Sequence, residues 1–323
     1  MPPKIRGMSA NSTLKRFTLM LSGEDFLDND VQESLDGAPA NGLPHERFLL
    51  GAKLPIAPVL LLGQSDQAFD PNLSIACLQP VHFHATRDHL VLLGQSQVNL
   101  TASESAQLLQ AALSFIEEDF ESPLLFNGGN DWFIQAGPFT SLATHSVDQA
   151  HGRNIDWWMP RDTDQEGVAK RWRKLQNEIQ MLWHVDPTNE ERTARGLPSI
   201  NSLWISGIGK LQDVQTPMPL QEVKMLCGSH PLLPGLAKYL GITHQEQLDP
   251  SQLINTFAWL NQAESIWPIL TQALIDKQLD EIELIDFPKG KLRQRIFKIG
   301  DLYKRSWKIW NKPTMRSWQE IAE

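Results

Sequence analysis

Residues 170–210 read KRWRKLQNEIQMLWHVDPTNEERTARGLPSINSLWISGIGK, and the order of signals in this stretch decides the fold class. Val168, Trp172, Leu175, Ile179 and Leu182 recur at steps of four and three, so they share an apolar stripe that must face a core. Arg173, Asn177, Gln180 and His184 make a second, polar stripe beside it, which either lines a cleft or meets solvent. Asp186-Pro187 ends the helix, because the proline ring cannot continue the ladder and pushes the preceding residue out of the helical region. A polar link with Asn189, Arg192 and Arg195, then a Gly196-Leu197-Pro198 turn, lead into a short buried strand at 202–206. Gly207-Ile208-Gly209-Lys210 follows directly. A strand entering a glycine loop is where open α/β sheets place ligands, since free N–H groups and close approach coincide there. The spacing fits neither phosphate-binding glycine motif, so an ordinary strand-exit turn competes with an anion site.

Around this unit the chain reads as a mixed α/β or α+β protein. Residues 17–21 form a first strand, followed by acidic Glu24-Asp25, which reads as a pair of solvated loop acids. A loop-rich acidic segment over 22–46 contains a short helix near 31–35. Residues 58–63 (PVLLLG) and 76–78 read as buried strands. His82 and His84 share one strand face, and His89 lies beyond a turn at Arg87-Asp88, but this is short of a zinc ligand set, so half-exposed sheet histidines are expected. Thr101 and Glu104 form a capping box for a helix to about residue 120, and 124–134 forms a hairpin. Helices are expected over 231–240, 251–259 and 266–277, then a hairpin at 282–299 and a short helix at 302–310. The divisions implied are a disordered tail at 1–16, an N-terminal α/β part at 17–160, the central unit at 161–280 and a basic hairpin and helix at 281–323.

The 323 residues carry a net charge of −9, which argues against a global nucleic-acid or anionic-membrane surface. Residues 288–317 hold ten Lys or Arg against one Asp, a charge asymmetry that points to an acidic protein partner or to pairing with the rest of the chain, with nucleic acid disfavoured. No stretch approaches eighteen apolar residues, and Cys77 and Cys227 form no C-x-x-C, so a cytoplasmic protein with reduced thiols is expected and no membrane partner. Tryptophan, at 11 residues, is read as packing material.

The run Asn177-Glu178-Ile179-Gln180-Met181-Leu182-Trp183-His184, with Pro187, Asn189 and Arg192 and then 196–204 and the glycine loop, resembles the proteobacterial regulatory proteins of the RpfE type, often labelled phosphoglycerate mutase. The likeness extends more loosely to Pro80-Val81-His82 and to Pro231-Leu232-Leu233. Its second half is also similar to archaeal-type cofactor-independent phosphoglycerate mutases, which implies an alkaline-phosphatase-like α/β fold, two divalent metals and a Ser or Thr nucleophile. The chain departs from that pattern. No Asp-Gly ligand turn closes the first strand, no G-N-S nucleophile turn precedes residue 100, and the late strand at 282–287 holds no histidine.

Two functions follow. In the first, a degenerate fold has lost its metal centre, has no cofactor, and binds a small anionic ligand or a partner in a cleft of Arg173, Asn177, His184, Asn189, Arg192, Asn201, Gly207 and Gly209. In the second, an active mutase uses manganese or zinc, with His184 as general acid–base and Arg192 or Arg195 clamping phosphate. A structural variant stays open, in which the asparagines cap turns and Arg192 makes an internal salt bridge.

Overall fold

The computed structural model describes residues 14–25, 41–261, 263–304 and 315–322. In chain order the strands are β1 (Arg16–Met20), β2 (Ser74–Ala85), β3 (Leu90–Leu93), β4 (Leu124–Asn127), β5 (Trp132–Gln135), β6 (Leu142–Ala143), β7 (Arg161–Asp162), β8 (Ser202–Lys210), β9 (Met225–Cys227), β10 (Thr243–Gln245), β11 (Thr256–Trp259), β12 (Glu281–Asp286) and β13 (Arg293–Phe297). The helices are α1 (Pro44–Leu50), α2 (Ile56–Gln64), α3 (Gln95–Val98), α4 (Ala102–Phe120), α5 (Val147–Ala150), α6 (Val168–His184), α7 (Pro187–Ala194), α8 (Met218–Gln221), α9 (Leu232–Leu240), α10 (Ala263–Ile275) and α11 (Trp318–Ala322).

Two large sheets result. The first has the order β10-β9-β11-β1-β12-β13 and is parallel except for β13. The second is antiparallel, β3-β2-β5-β4 with β8 also on β2, and is built by the chain between β1 and β9. The expected divisions at 160 and 280 therefore each pass through a sheet. Helices α4 and α6 cover one face of the antiparallel sheet, with Trp172, Leu175 and Ile179 buried there as the periodicity implies. Helices α1, α2 and α9 fill the space between the sheets, and α10 and α11 cover the far face of the parallel sheet. This is the mixed α/β arrangement read from the sequence.

The local signals hold where the chemistry is local. Thr101 Oγ1 accepts from Glu104 N at 3.2 Å while Glu104 Oε2 accepts from Thr101 N at 2.9 Å, and α4 starts there. Where two packing solutions compete, tertiary structure decides. Residues 58–63 are helical and not a strand, because α2 lies between two sheets and is apolar on nearly every side, which hides its period. The link after Asp186-Pro187 is helix α7, because Asp186 Oδ1 accepts from Thr188 N at 2.8 Å and Pro187 suits the first helical turn. The expected helix at 251–259 yields β11 instead, since 256–259 pairs with both β1 and β9. Gly207-Ile208-Gly209-Lys210 is not a loop but the end of β8, bulged opposite Ala76 with Gly207 at φ +64°.

Strand β1 already begins at Arg16, inside the expected tail. The remainder of that tail up to residue 13, the helix near 31–35 and most of the helix at 302–310 lie outside the described residues. Leu302 closes a short 3-10 turn. Five tryptophans, at 132, 158, 172, 183 and 204, are almost wholly buried, in keeping with a packing role. No helix among the described residues is long and apolar enough to cross a membrane.

Helices α2 and α9 meet through glycine. A Cβ at Gly63 would come 2.8 Å from Gly235 N, and one at Gly235 would fall on the Val59 carbonyl. Gly235→Ala is therefore expected to cost about 1–3 kcal/mol, read as a lowered urea midpoint, whereas Gly300→Ala, where nothing lies within 4 Å, is expected to leave the midpoint in place.

Candidate functional site

The eight residues marked by the sequence are not gathered into one cleft. Arg173, Asn177 and His184 are exposed on the outer side of α6. Asn189 is buried and fully engaged: its Nδ2 donates to Trp183 O and Ile200 O, each at 2.8 Å, and its Oδ1 accepts from Ile200 N at 2.7 Å. Asn201 acts as a further rung on β2, accepting from Phe83 N at 2.7 Å and donating to Phe83 O at 3.0 Å. Arg192 is fully buried and donates to Glu104 Oε2 at 2.8 Å, to Pro198 O at 2.9 Å and to Val98 O. Gly207 and Gly209 let β8 approach the start of α2, where added Cβ atoms would meet Ala57 N and Pro55 Cα, each at 2.7 Å. Gly207 also borders a small hollow of about 140 Å³ beside Lys53. The motif that carries the family resemblance thus makes main-chain hydrogen bonds and close packing in this chain.

His82 and His84 do share a face, with ring centroids 5.8 Å apart, but His82 Nδ1 lies 2.7 Å from Ser199 O. Among the described residues no three His, Cys, Asp or Glu side chains come together as a metal site. The basic end finds partners inside the chain: Arg293 and Arg295 both pair with Asp286, Lys298 with Glu281 and Lys304 with Glu320. Asp25, expected in solvent, is largely buried, accepts from Gln149 Nε2 at 2.7 Å and lies 3.7 Å from Arg47.

Chemically, the most distinctive place is a cavity of about 250 Å³ between the two sheets, open to solvent on one side. Seven separate parts of the chain build its polar wall: Glu46 on α1, Gln79 on β2, Gln95 on α3, Asp131 at the β4–β5 turn, the α5 turn with Asp148 and His151, Ser206 on β8, and His230 after β9. Ile56, Leu60, Val147 and Leu232 supply an apolar side. Among the described residues no lysine or arginine lines it.

The ionisable groups here are unusual. Glu46 is 3% exposed, and desolvation lifts its pKa to about 7. Asp148 and Asp25 push in the same direction, while bonds from Leu43 N and the Ser146 hydroxyl oppose it. Asp131 keeps its oxygens occupied by three amides, accepting from Gln79 at 2.8 Å, Gln95 at 3.1 Å and Gln64 at 2.7 Å. Asp148 has the accessibility of an exposed residue, yet it opens onto the concave wall, where desolvation raises its pKa, with Asp131 adding to the rise and His151 opposing it. His151 Nδ1 is buried and has no hydrogen-bond partner among the described residues.

His230 stacks on Trp259 at 3.7 Å, and burial, reinforced by His45, lowers its pKa to about 3. Burial likewise lowers His45 to about 4, with Arg47 adding to the effect and Gly23 opposing it. Both rings are neutral at pH 7, so neither offsets the carboxylates. Sequence reading misses this site because its members have no common spacing. The one short-range clue is Asp148-x-x-His151, which a helical turn brings side by side.

No protein-family model and no curated protein matches the chain. Among solved structures it is similar to a cofactor-independent phosphoglycerate mutase from Thermoplasma acidophilum, at 15% identity and a TM-score of 0.36 over 89% of this chain and 90% of that one. It is also similar to the PH0037 protein from Pyrococcus horikoshii, at 12% identity and a TM-score of 0.38 over 90% of each chain.

Two measurements check these assignments. Because the fold raises the Glu46 pKa from 4.5 to about 7, the folded chain retains a proton that the unfolded chain releases, so this group's contribution falls as pH rises from about 4.5 to 7 and is constant above. His45 and His230, both lowered, act oppositely, and their stabilisation is lost as pH falls below about 6.5. Glu46→Gln should therefore gain on the native chain by roughly 2–3 kcal/mol more at pH 8 than at pH 5 in urea unfolding; an equal difference at both would refute the raised pKa. Arg192→Ala is expected to destabilise the fold by about 3–5 kcal/mol, since it strands buried acceptors. Unchanged unfolding with lost ligand binding would instead return Arg192 to the role of a ligand clamp.

Proposed function

We propose that this chain is a small-molecule-binding protein of regulatory kind, acting in the cytoplasm, that does not transfer phosphoryl groups. The observation that carries this reading is the cavity between the sheets: about 250 Å³, lined by carboxylates and amides and, among the described residues, by no lysine or arginine. A phosphoryl group in transfer concentrates negative charge on its oxygens and needs metal ions or guanidinium and ammonium groups to neutralise it. Carboxylates do the reverse. The groups considered for an active mutase are engaged elsewhere: Arg192 is buried against Glu104 and main-chain carbonyls, Arg195 pairs with the other Glu104 oxygen, and His184 faces solvent.

The resemblance of residues 177–204 to RpfE-type proteins supports the regulatory part of the reading, and buried, reduced cysteines are consistent with the compartment. The small anion expected from the sequence does not suit this wall, whereas a neutral or cationic molecule does. The volume falls below the ~300–1,000 Å³ of drug-sized sites, so the ligand is small.

The test is direct. Purified protein incubated with 3-phosphoglycerate, with manganese or zinc added, is expected to form no 2-phosphoglycerate and to respond to no chelator. Manganese-dependent interconversion that a chelator abolishes would overturn the proposal in favour of a mutase.

A further inference from the structure

The inference here rests on the binding reading above and names the class of ligand. We infer that the cavity takes a small alkylammonium ion, its charged nitrogen held among Asp148, Glu46 and His151 and its methylenes against Ile56, Leu60 and Leu232. Three independent features lead to it.

The first is charge. Glu46, Asp131 and Asp148 share the cavity wall, and none forms an ion pair with a lysine or arginine among the described residues. Where the fold has a buried acid elsewhere it supplies a partner, as with Asp286 between Arg293 and Arg295, or Glu104 between Arg192 and Arg195. Carboxylates gathered around one concave space with no cationic partner repel one another, and a cation bound among them relieves that cost. Groups facing Glu46 on other elements are Asp25, Asp148 and Ser146; the cations there, Arg47 and Arg153, lie 3.7 and 4.0 Å from Asp25 and pair with that acid and not with Glu46.

The second is an open hydrogen-bonding position. His151 Nδ1 is buried without a partner, and Asp148 makes no hydrogen bond within the described residues. Asp131, by contrast, is held by three amides and supplies charge more than free acceptor positions. An ammonium has three N–H donors and no acceptor, which suits a cluster of acceptors and would repel a cluster of donors.

The third is the wall opposite. Ile56 and Leu60 on α2 and Leu232 on α9 are buried apolar side chains that also line the cavity. A bare metal ion has no use for them, and a polyol would leave hydroxyls unpaired against them. A short alkyl chain buries its methylenes there at ~0.8 kcal/mol per CH₂. Charge at one end and hydrocarbon at the other describe a small primary amine.

Isothermal titration with n-butylammonium chloride, its neutral isostere 1-butanol, sodium chloride and inorganic phosphate separates the cases. Butylammonium is expected to bind at least roughly tenfold more tightly than butanol. Asp148→Asn should weaken it by a similar factor without lowering the melting temperature of the free protein, because Asp148 is exposed and its charge only adds to the repulsion around Glu46. Val147→Phe, which fills the cavity, should block it.

Equal binding of butanol and butylammonium would overturn the ammonium assignment and leave a binding cavity in place. Equal protection by sodium chloride would overturn it in favour of non-specific screening. Absence of butylammonium binding, or butylammonium binding unchanged in both variants, would also overturn it. Competition by phosphate would remove both this assignment and the binding reading above.

Discussion

The buried guanidinium of Arg192 is the interaction on which the antiparallel half of the molecule depends. It joins the turn before α4, the first turn of α4 and the turn before β8, through Val98 O, Glu104 and Pro198 O. These segments are up to 94 positions away in sequence. A cation taken wholly out of water is tolerable only when every donor is matched, so the position of Arg192 fixes all three segments at once. Glu104 is bound twice over, since the same carboxylate caps α4 and receives Arg195. Asn189 and Asn201 extend the arrangement by mimicking main-chain rungs beside β8 and β2.

That clamp positions the cavity. Fixing β8 against β2 sets Ser206 and Gln79 on its wall, and the bulge at Gly207 lets α2 pack closely enough to bring Ile56 and Leu60 to the other side. The parallel sheet then contributes His230 from the end of β9, held flat on Trp259. Open α/β sheets hold ligands beyond the carboxyl ends of their strands, and His230 lies there. The cavity therefore belongs to neither sheet alone. Its electrostatics follow from burial: Glu46 keeps its proton up to about pH 7 because ionising it would cost solvation and would add to Asp148 and Asp25.

The residues that carry the family resemblance and the residues that carry the distinctive chemistry are different sets. Asn189, Arg192, Asn201, Gly207 and Gly209 look like ligand-binding positions in sequence because asparagine, arginine and glycine serve both chemistry and architecture. Here their polar atoms are consumed by backbone partners, and their small size by helix packing. Type and spacing alone do not separate these uses, since the separation depends on whether a side chain meets main chain or open space.

By itself the sequence determined what depends on near neighbours. The α6 stripe, the Thr101–Glu104 cap, the 124–134 and 282–299 hairpins and the 231–240 helix are all legible, because capping and periodicity act over a few residues. Only the tertiary structure decided the rest. An all-apolar segment became α2 because two sheets enclose it, and residues 256–259 became a strand because β1 and β9 leave a gap between them. The cavity was decided in the same way. Its acids and histidines come from positions 46, 131, 148, 151 and 230, and long-range packing, which no local spacing encodes, is what brings them together.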